Sequence, residues 1–299
     1  RSVITYNGTP VPTILRNRGK LFVPGSNPPQ TTSISAGSFA TLGNPYACAI
    51  DFLAITRPAA PAVDSVYYVW DPLLPGSNSF GLGGYQTISS VNGYKPSPGG
   101  TINYSNASAY TKIQSGQAFF MHATGAGGTV SFSEAAKIAG SQQVYRPAPT
   151  TSLNRAFIRT ELYVLSGTDT RLTDAAVVAF DPAFSNRYDA LDALKLMNNA
   201  DNIGIRSEGQ LLAIEARKPV QRRDTIFYAL NNLRPQVYRL AIGPENLMQS
   251  GWQIFLIDQY LGQRTSVSTG DSTYYSFSVT ADPGSYASDR FYLVLQARG

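Results

Sequence analysis

Only one cysteine, Cys48, and one histidine, His122, occur among the 299 residues. A single thiol cannot form an internal disulfide, and one Cys with one His cannot fill a tetrahedral zinc site. Histidine chemistry would have to run through His122, which lies in SGQAFFMHAT. On a strand, Ala118, Phe120 and His122 share one face, while Gln117, Phe119 and Met121 share the other. No third group completes a triad with Cys48 and His122, and a histidine beside Phe120 reads as a packed or surface strand residue. Charge is also scarce, at 14% of residues against roughly 25% in ordinary soluble domains. No run approaches the ~18 apolar residues of a membrane helix. No signal peptide opens the chain, so it is expected to be cytosolic or already processed. GLGGY (81–85) lacks the spacing and the following helix of a dinucleotide fingerprint, and no P-loop occurs.

What charge there is falls unevenly. Up to Ala148 nine Lys/Arg face four Asp/Glu, and beyond it fifteen face fifteen, so the net +5 belongs to the first half. The one basic cluster, Arg16-Asn17-Arg18-Gly19-Lys20, is too short for a nucleic-acid stripe with interleaved aromatics, and no nucleic-acid partner is expected. Apolar residues make up 43%, enough for a substantial core.

Helical periodicity is nearly absent. The best candidate is SNRYDALDALKLMNNA, where Tyr188, Leu191 and Leu194 fall at helix-like spacing after Ser185 or Asn186. Elsewhere, short β-branched and aromatic runs are cut by Gly, Pro, Asn and Asp. Such runs are Val66–Trp70, Ala118–Ala123, Ala156–Leu165, Ala175–Phe180 and Leu211–Ala216. They continue with Thr225–Leu230, Val237–Ile242, Trp252–Asp258, Thr273–Val279 and Phe291–Leu295. Asp71-Pro72, Asp181-Pro182 and Asp282-Pro283 read as turn starters. The expected fold is all-β, with two β-sandwich modules of jelly-roll or immunoglobulin-like type and at most one short helix, over 185–197. Pro147 and Pro149 in YRPAPTTS suggest a stiff linker, between a module over 1–147 with long Gly/Ser/Asn loops and a second over 150–299.

Three kinds of site are worth carrying forward. Calcium needs only oxygen ligands, and Asp181, Asp189 and Asp192 lie close in sequence, with Asp169 and Asp174 upstream. None fits the EF-hand spacing; the alternative is that Asp181 starts a turn and the other two lie on the exposed side of a short helix. Tyr67, Tyr68 and Trp70, with Tyr85, Tyr94, Tyr104 and Tyr110 nearby, could stack on sugars or anchor a protein, although half the rings on a strand face the core. A hydrolytic carboxylate pair would have only Asp51, Asp64, Asp71 and Glu134 to draw on in the first module. Gly43-Asn44-Pro45 in TLGNPYACAIDF reads as a turn with Tyr46 packed beneath it.

LGNPYACAIDF, VYYVWDP, GGYQTIS and IQSGQAFFMHA, in that order, resemble a region of large Bacteroidota extracellular proteins. The likeness continues through FDPAFSNRYDALDALKL and WQIFLIDQYLGQRTSV to DRFYLVL, covering about Phe39 to Leu295. Ala47, Cys48 and Phe52 depart from that family's Pro, Ser and Trp. The resemblance implies non-catalytic β-sandwiches in adhesins and other surface proteins, exported by type IX secretion through a C-terminal sorting domain, which the chain lacks. It also implies O-glycosylation at Asp-(Ser/Thr)-aliphatic or Thr sites, making Ser65, Thr225 and Ser272 candidates. The expectation is a non-enzymatic, secreted or outer-membrane-surface protein with an adhesive or structural role, as in a surface fibre or layer. It would self-assemble or bind protein partners, with strand exchange through residues 1–24. The rival reading is a carbohydrate-binding module.

Overall fold

The computed structural model describes residues 30–57, 63, 65–71, 74, 83–99, 111–139, 155–247 and 251–297. The linker around Ala148, residues 1–24, Asp64, Tyr104 and Tyr110 lie outside the described residues. The fold is all-β: among the described residues helix occurs only as 3-10 turns, at Phe52–Ala54, Ser90–Asn92, Glu134–Ala136 and Pro283–Tyr286.

The first half contributes β1 (Gln30–Ile34), β2 (Phe39–Gly43), β3 (Ile50–Asp51), β4 (Val66–Asp71), β5 (Gly84–Ser89), β6 (Lys112–Ile113), β7 (Ala118–His122) and β8 (Gly128–Phe132). Four of them form a sheet in the order β2-β7-β4-β5, and β1 pairs with β8 and β3 with β6. One face of the four-stranded sheet, carrying Leu42, Tyr67, Val69, Phe119 and Met121, packs on Ile34, Val130 and Phe132 of the β1–β8 pair. Alternation with period two sorts these residues from their neighbours.

The second half contributes β9 (Ala156–Ser166), β10 (Asp169–Phe180), β11 (Ala193–Leu194), β12 (Asn202–Ser207), β13 (Gln210–Arg217) and β14 (Arg223–Asn231). It continues with β15 (Val237–Glu245), β16 (Trp252–Asp258), β17 (Gln263–Val267), β18 (Thr273–Ser278) and β19 (Phe291–Ala297). The sequence suggested two facing sheets. The ladder runs instead as one eleven-stranded sheet, β17-β16-β19-β14-β12-β13-β10-β9-β15-β18 with β11 beside β13, curled nearly closed. Its inner face is the apolar half of each alternation, as in Ile226, Tyr228 and Leu230 of β14 or Phe291, Leu293 and Leu295 of β19. All pairs are antiparallel except β10 with β13.

Strand β10 is buried on both faces. Ala176, Val178 and Phe180 point into the curl, whereas Val177 and Ala179 meet Val66 and Tyr68 of the first half. Strands with two buried faces read as continuous apolar runs, which is the pattern of AAVVAF. The two halves therefore share an apolar cluster. Polar contacts frame it: Arg155 donates to Val91 O at 2.7 Å, and Tyr85 N donates to Asn198 Oδ1 at 2.8 Å.

The helix expected over 185–197 does not form. Asp189 Oδ1 accepts from Leu191 N at 2.8 Å and Asp192 Oδ2 from Asp189 N at 2.9 Å. Side-chain bonds of this kind compete with the helical ladder. The chain then docks Ala193 and Leu194 on β13, burying Ala193 in the shared cluster with Leu191 packed against it.

The mouth of the curled sheet is fastened by Arg290, fully buried just ahead of β19. Its Nε and Nη2 meet the two oxygens of Asp258 at 2.9 and 2.7 Å, while Nη1 donates to Ser278 O and Ser285 O at 3.1 and 2.6 Å. Tyr275 Oη donates to Asp258 Oδ2 at 2.9 Å and also reaches Gln263 Oε1 at 2.9 Å, linking the two outermost strands β18 and β17. Burial raises the Asp258 pKa, but the hydrogen bonds from Arg290, Tyr275 and Leu261 outweigh it and hold the carboxyl below its usual value.

Asp258→Ala removes the partner of a buried cation, and such losses cost about 3–5 kcal/mol. Urea unfolding is expected to show a loss of that size, against at most about 1 kcal/mol for Lys95→Ala, which breaks the exposed Lys95–Glu245 pair.

Candidate functional site

The GNPY turn is a structural clasp. Asn44 Nδ2 donates to Cys48 O at 2.8 Å and Ile113 O at 3.1 Å, and its Oδ1 accepts from Tyr46 N at 2.9 Å. Tyr46 is buried beneath it, with the Lys137 ammonium 4.5 Å from its ring centroid. Cys48 is partly buried against the first core. His122 is buried with its ring 4.9 Å from that of Phe39.

The aromatic run on β4 is not a platform. Tyr67 and Tyr68 are 2% and 0% exposed on opposite faces of the strand. Tyr67 packs on Phe52 at 4.3 Å, and Tyr68 faces the shared cluster and Phe39. Trp70 stands edge-on to Tyr85 at 4.9 Å. A sheet sandwiched between two cores consumes both faces of its central strand, so Tyr67 and Tyr68 have no open side for a sugar, while Trp70 at the strand end is half-buried.

The three aspartates are not brought together either, and among the described residues no three His, Cys, Asp or Glu side chains form a metal-binding group. Asp181 pairs with Arg155 at 2.9 Å and caps its own turn through Ala183 N at 2.9 Å, as an Asp-Pro turn starter should. Asp192 is buried and accepts from Asp189 N and from Ala216 N at 2.8 Å. Desolvation pushes its pKa up to about 7 against those two amides, with Asp189 and Glu215 adding repulsion. Burial also raises Glu215, opposed by Arg217 at 3.3 Å. Asp174, at the bulge of β10, is buried against Lys195 at 2.5 Å and accepts from Ile203 N at 2.7 Å. Burial raises it too. Asp174, Asp181 and Asp192 hold backbone in place, and Glu215 meets the Arg217 side chain.

Of the glycosylation candidates, Ser272 is exposed in the loop before β18, Ser65 is half-buried ahead of β4, and Thr225 is half-buried within β14.

The open feature is a trough of about 580 Å³ on the outer face of the curled sheet, across β12, β13 and β14. Strand register places Arg206 beside Leu211 on one side and Phe227 on the other, and Gly204 beside Ala229. Leu211 leans over Gly204, where an added Cβ would lie 2.7 Å from Leu211 Cδ1. The floor is thus Leu211 and Ala229, and Phe227, 45% exposed, is the wall. Gln210, Asn231 and Ser288 supply polar groups at the rim. The lip is the β12–β13 hairpin, whose two-residue loop has φ of 46° at Glu208 and 79° at Gly209, as a type I′ turn requires. Glu208 is held there by Tyr188 N, 3.0 Å from its Oε2. Sequence reading missed this site because Asn202–Ser207 was not recognised as a strand, and one exposed phenylalanine gives no signal without its register partners. The Ser-Glu-Gly-Gln turn was the clue to be had.

The chain belongs to the family described as a domain of unknown function, DUF8693, which matches residues 4–295 and so runs through both halves. No curated protein and no solved structure matches it.

The raised Asp192 pKa carries a pH signature. The folded state holds this proton more tightly than the unfolded chain, so its contribution to stability is complete below about pH 4 and is lost as pH rises to about 7. Asp192→Asn keeps an acceptor for Ala216 N but cannot titrate. Thermal melts from pH 4.5 to 8 are expected to show the stability advantage of wild type over this variant shrinking as pH rises.

Proposed function

We propose that this DUF8693 member is a non-enzymatic surface or secreted protein with an adhesive or structural role. The observation that carries the reading is the division of labour on the curled sheet. One part of its outer face is welded to the first half, and the neighbouring part is left open with a trough containing an exposed aromatic ring. A rigid body that presents a preformed recess suits binding at a fixed surface. The weakly charged composition, rich in Ser, Thr, Asn, Gly and Tyr, supports an extracellular setting. Export by the type IX route, jelly-roll or immunoglobulin-like affinity of the halves, O-glycosylation and strand exchange through residues 1–24 belong to this proposal and rest on the sequence resemblance. The carbohydrate-binding reading moves from the β4 aromatics to the trough.

Protease shaving of intact cells that express the native gene is expected to release peptides of this protein. A deletion strain is expected to lose attachment to surfaces or to other cells. Recovery of the protein only from the cytosol, or normal attachment by the deletion strain, would overturn the reading.

A further inference from the structure

The trough across β12, β13 and β14 has the chemistry of a neutral-sugar subsite, and we propose that it binds a short uncharged glycan, an inference that rests on the adhesive reading above. A sugar ring has an apolar C–H face and an equatorial fringe of hydroxyls. It is met best by one aromatic wall over an apolar floor, with groups at the rim that can both donate and accept. Phe227 is the wall, and Leu211 and Ala229 are the floor. Asn231 and Gln210 are side-chain amides, each with an acceptor oxygen and two donor hydrogens, which matches adjacent hydroxyls on one ring edge. Ser288 adds a hydroxyl from the turn before β19, which is tied to β14 by Leu230 N donating to Ser288 O at 3.0 Å.

Arg206, in register between Leu211 and Phe227, and Glu208, on the hairpin turn, carry opposite charges, so the lining of the trough has no net charge. Size agrees: about 580 Å³ lies within the roughly 300–1,000 Å³ of small-molecule sites. The aromatic wall is also held in place, with the Tyr292 ring 5.8 Å behind Phe227. This wall needs no loop to order on binding, since Phe227, Ala229 and Asn231 are outward positions of one strand whose inward positions, Ile226, Tyr228 and Leu230, are locked in the core. A second recess of about 280 Å³ along β16 and β17 is lined mainly by Ser266, Ser268, Thr269 and Gln253 around Phe255. Arg264 covers the Phe255 ring at 3.7 Å, which removes it as a stacking surface.

The test is an array of neutral mono- to tetrasaccharides of hexoses and N-acetylhexosamines, probed with the intact chain, followed by titration calorimetry of the hits. Binding is expected to weaken about tenfold in Phe227→Ala, the size of one lost aromatic contact, and to weaken also in Asn231→Ala. Both positions lie on the outer face, so folding is checked by the thermal melt. Tyr274→Ala removes the most exposed large hydrophobic side chain among the described residues, 64% exposed on β18, and is expected to bind as wild type does. Absence of any binding on the array would overturn the proposal. So would hits that survive Phe227→Ala or are lost equally in Tyr274→Ala. Attachment lost on gene deletion with no glycan bound removes the subsite and leaves the adhesive role. Glycan binding without an attachment defect removes the adhesive role and leaves the subsite.

Discussion

The curled sheet depends on a side-chain bond in place of a backbone one. Its outermost strands β17 and β18 do not pair with each other, so the ladder that closes a full barrel is missing at one seam. Arg290 spans that seam. Its guanidinium holds Asp258 at the end of β16 and the carbonyl of Ser278 at the end of β18, while its own backbone leads into β19. Only a planar fork with five donors can make these contacts together. The rings of Tyr260, Phe277 and Phe291 surround it at 4.9 to 5.0 Å, so the charge is buried among faces that favour a cation. A buried ion pair is weak evidence for net stability. Here it specifies geometry, because an apolar replacement could fill the space but would not direct β16, β18 and β19 to one point.

Once the sheet is curled, its outer face becomes the resource that the rest of the molecule divides. The first half takes the part carried by β9, β10 and β13. Val66 and Tyr68 on one side and Val177, Ala179 and Ala213 on the other form the shared cluster. The cost is that Tyr67 and Tyr68 of β4 are spent on packing, which leaves only half-buried Trp70 of the feature that looked most like a binding surface. The neighbouring strands β12 and β14 lie beyond this cover and keep an exposed face. The open face of this chain therefore lies where the first half stops covering the second, rather than where aromatic residues are most frequent.

How much was legible in the sequence differs between the levels. All ten runs read from β-branched and aromatic content between breakers, from Val66–Trp70 to Phe291–Leu295, are strands, because that local signal holds whether a strand lies in a sandwich or in a curl. Global closure was not legible. It is set by Arg290 and Asp258, 32 residues apart, and no local pattern marks such a pair. The false helix over 185–197 had correct spacing but also Asp189 and Asp192, whose carboxylates capture backbone amides and turn the segment back on itself. Asp181-Pro182 and Asp282-Pro283 were readable because an aspartate cap is a local device: Gly284 N donates to Asp282 Oδ1 at 2.9 Å, as Ala183 N does to Asp181. The tyrosines misled for the opposite reason. Exposure is decided by what covers a strand, and one face of β4 is covered from residues more than 85 positions away, among them Phe157 and Val177.

The shape of the trough is set by two small residues at its floor. Outward positions on a solvated sheet are free of core constraints and usually carry long polar side chains that cover the backbone. At the centre of β12 and β14 stand Gly204 and Ala229, two small residues paired in register. A glycine inside a strand costs stability and gives no packing in return, yet Gly204 does permit one thing: Leu211 lies flat across it, which even a methyl group would prevent. The result is an apolar floor at the level of the backbone with Phe227 rising at its edge. Beside this floor on the same face of β12 stands Arg206, in register between Leu211 and Phe227. The low apolar strip, the ring, the guanidinium and the two amides together make the surface on which the proposed glycan would rest.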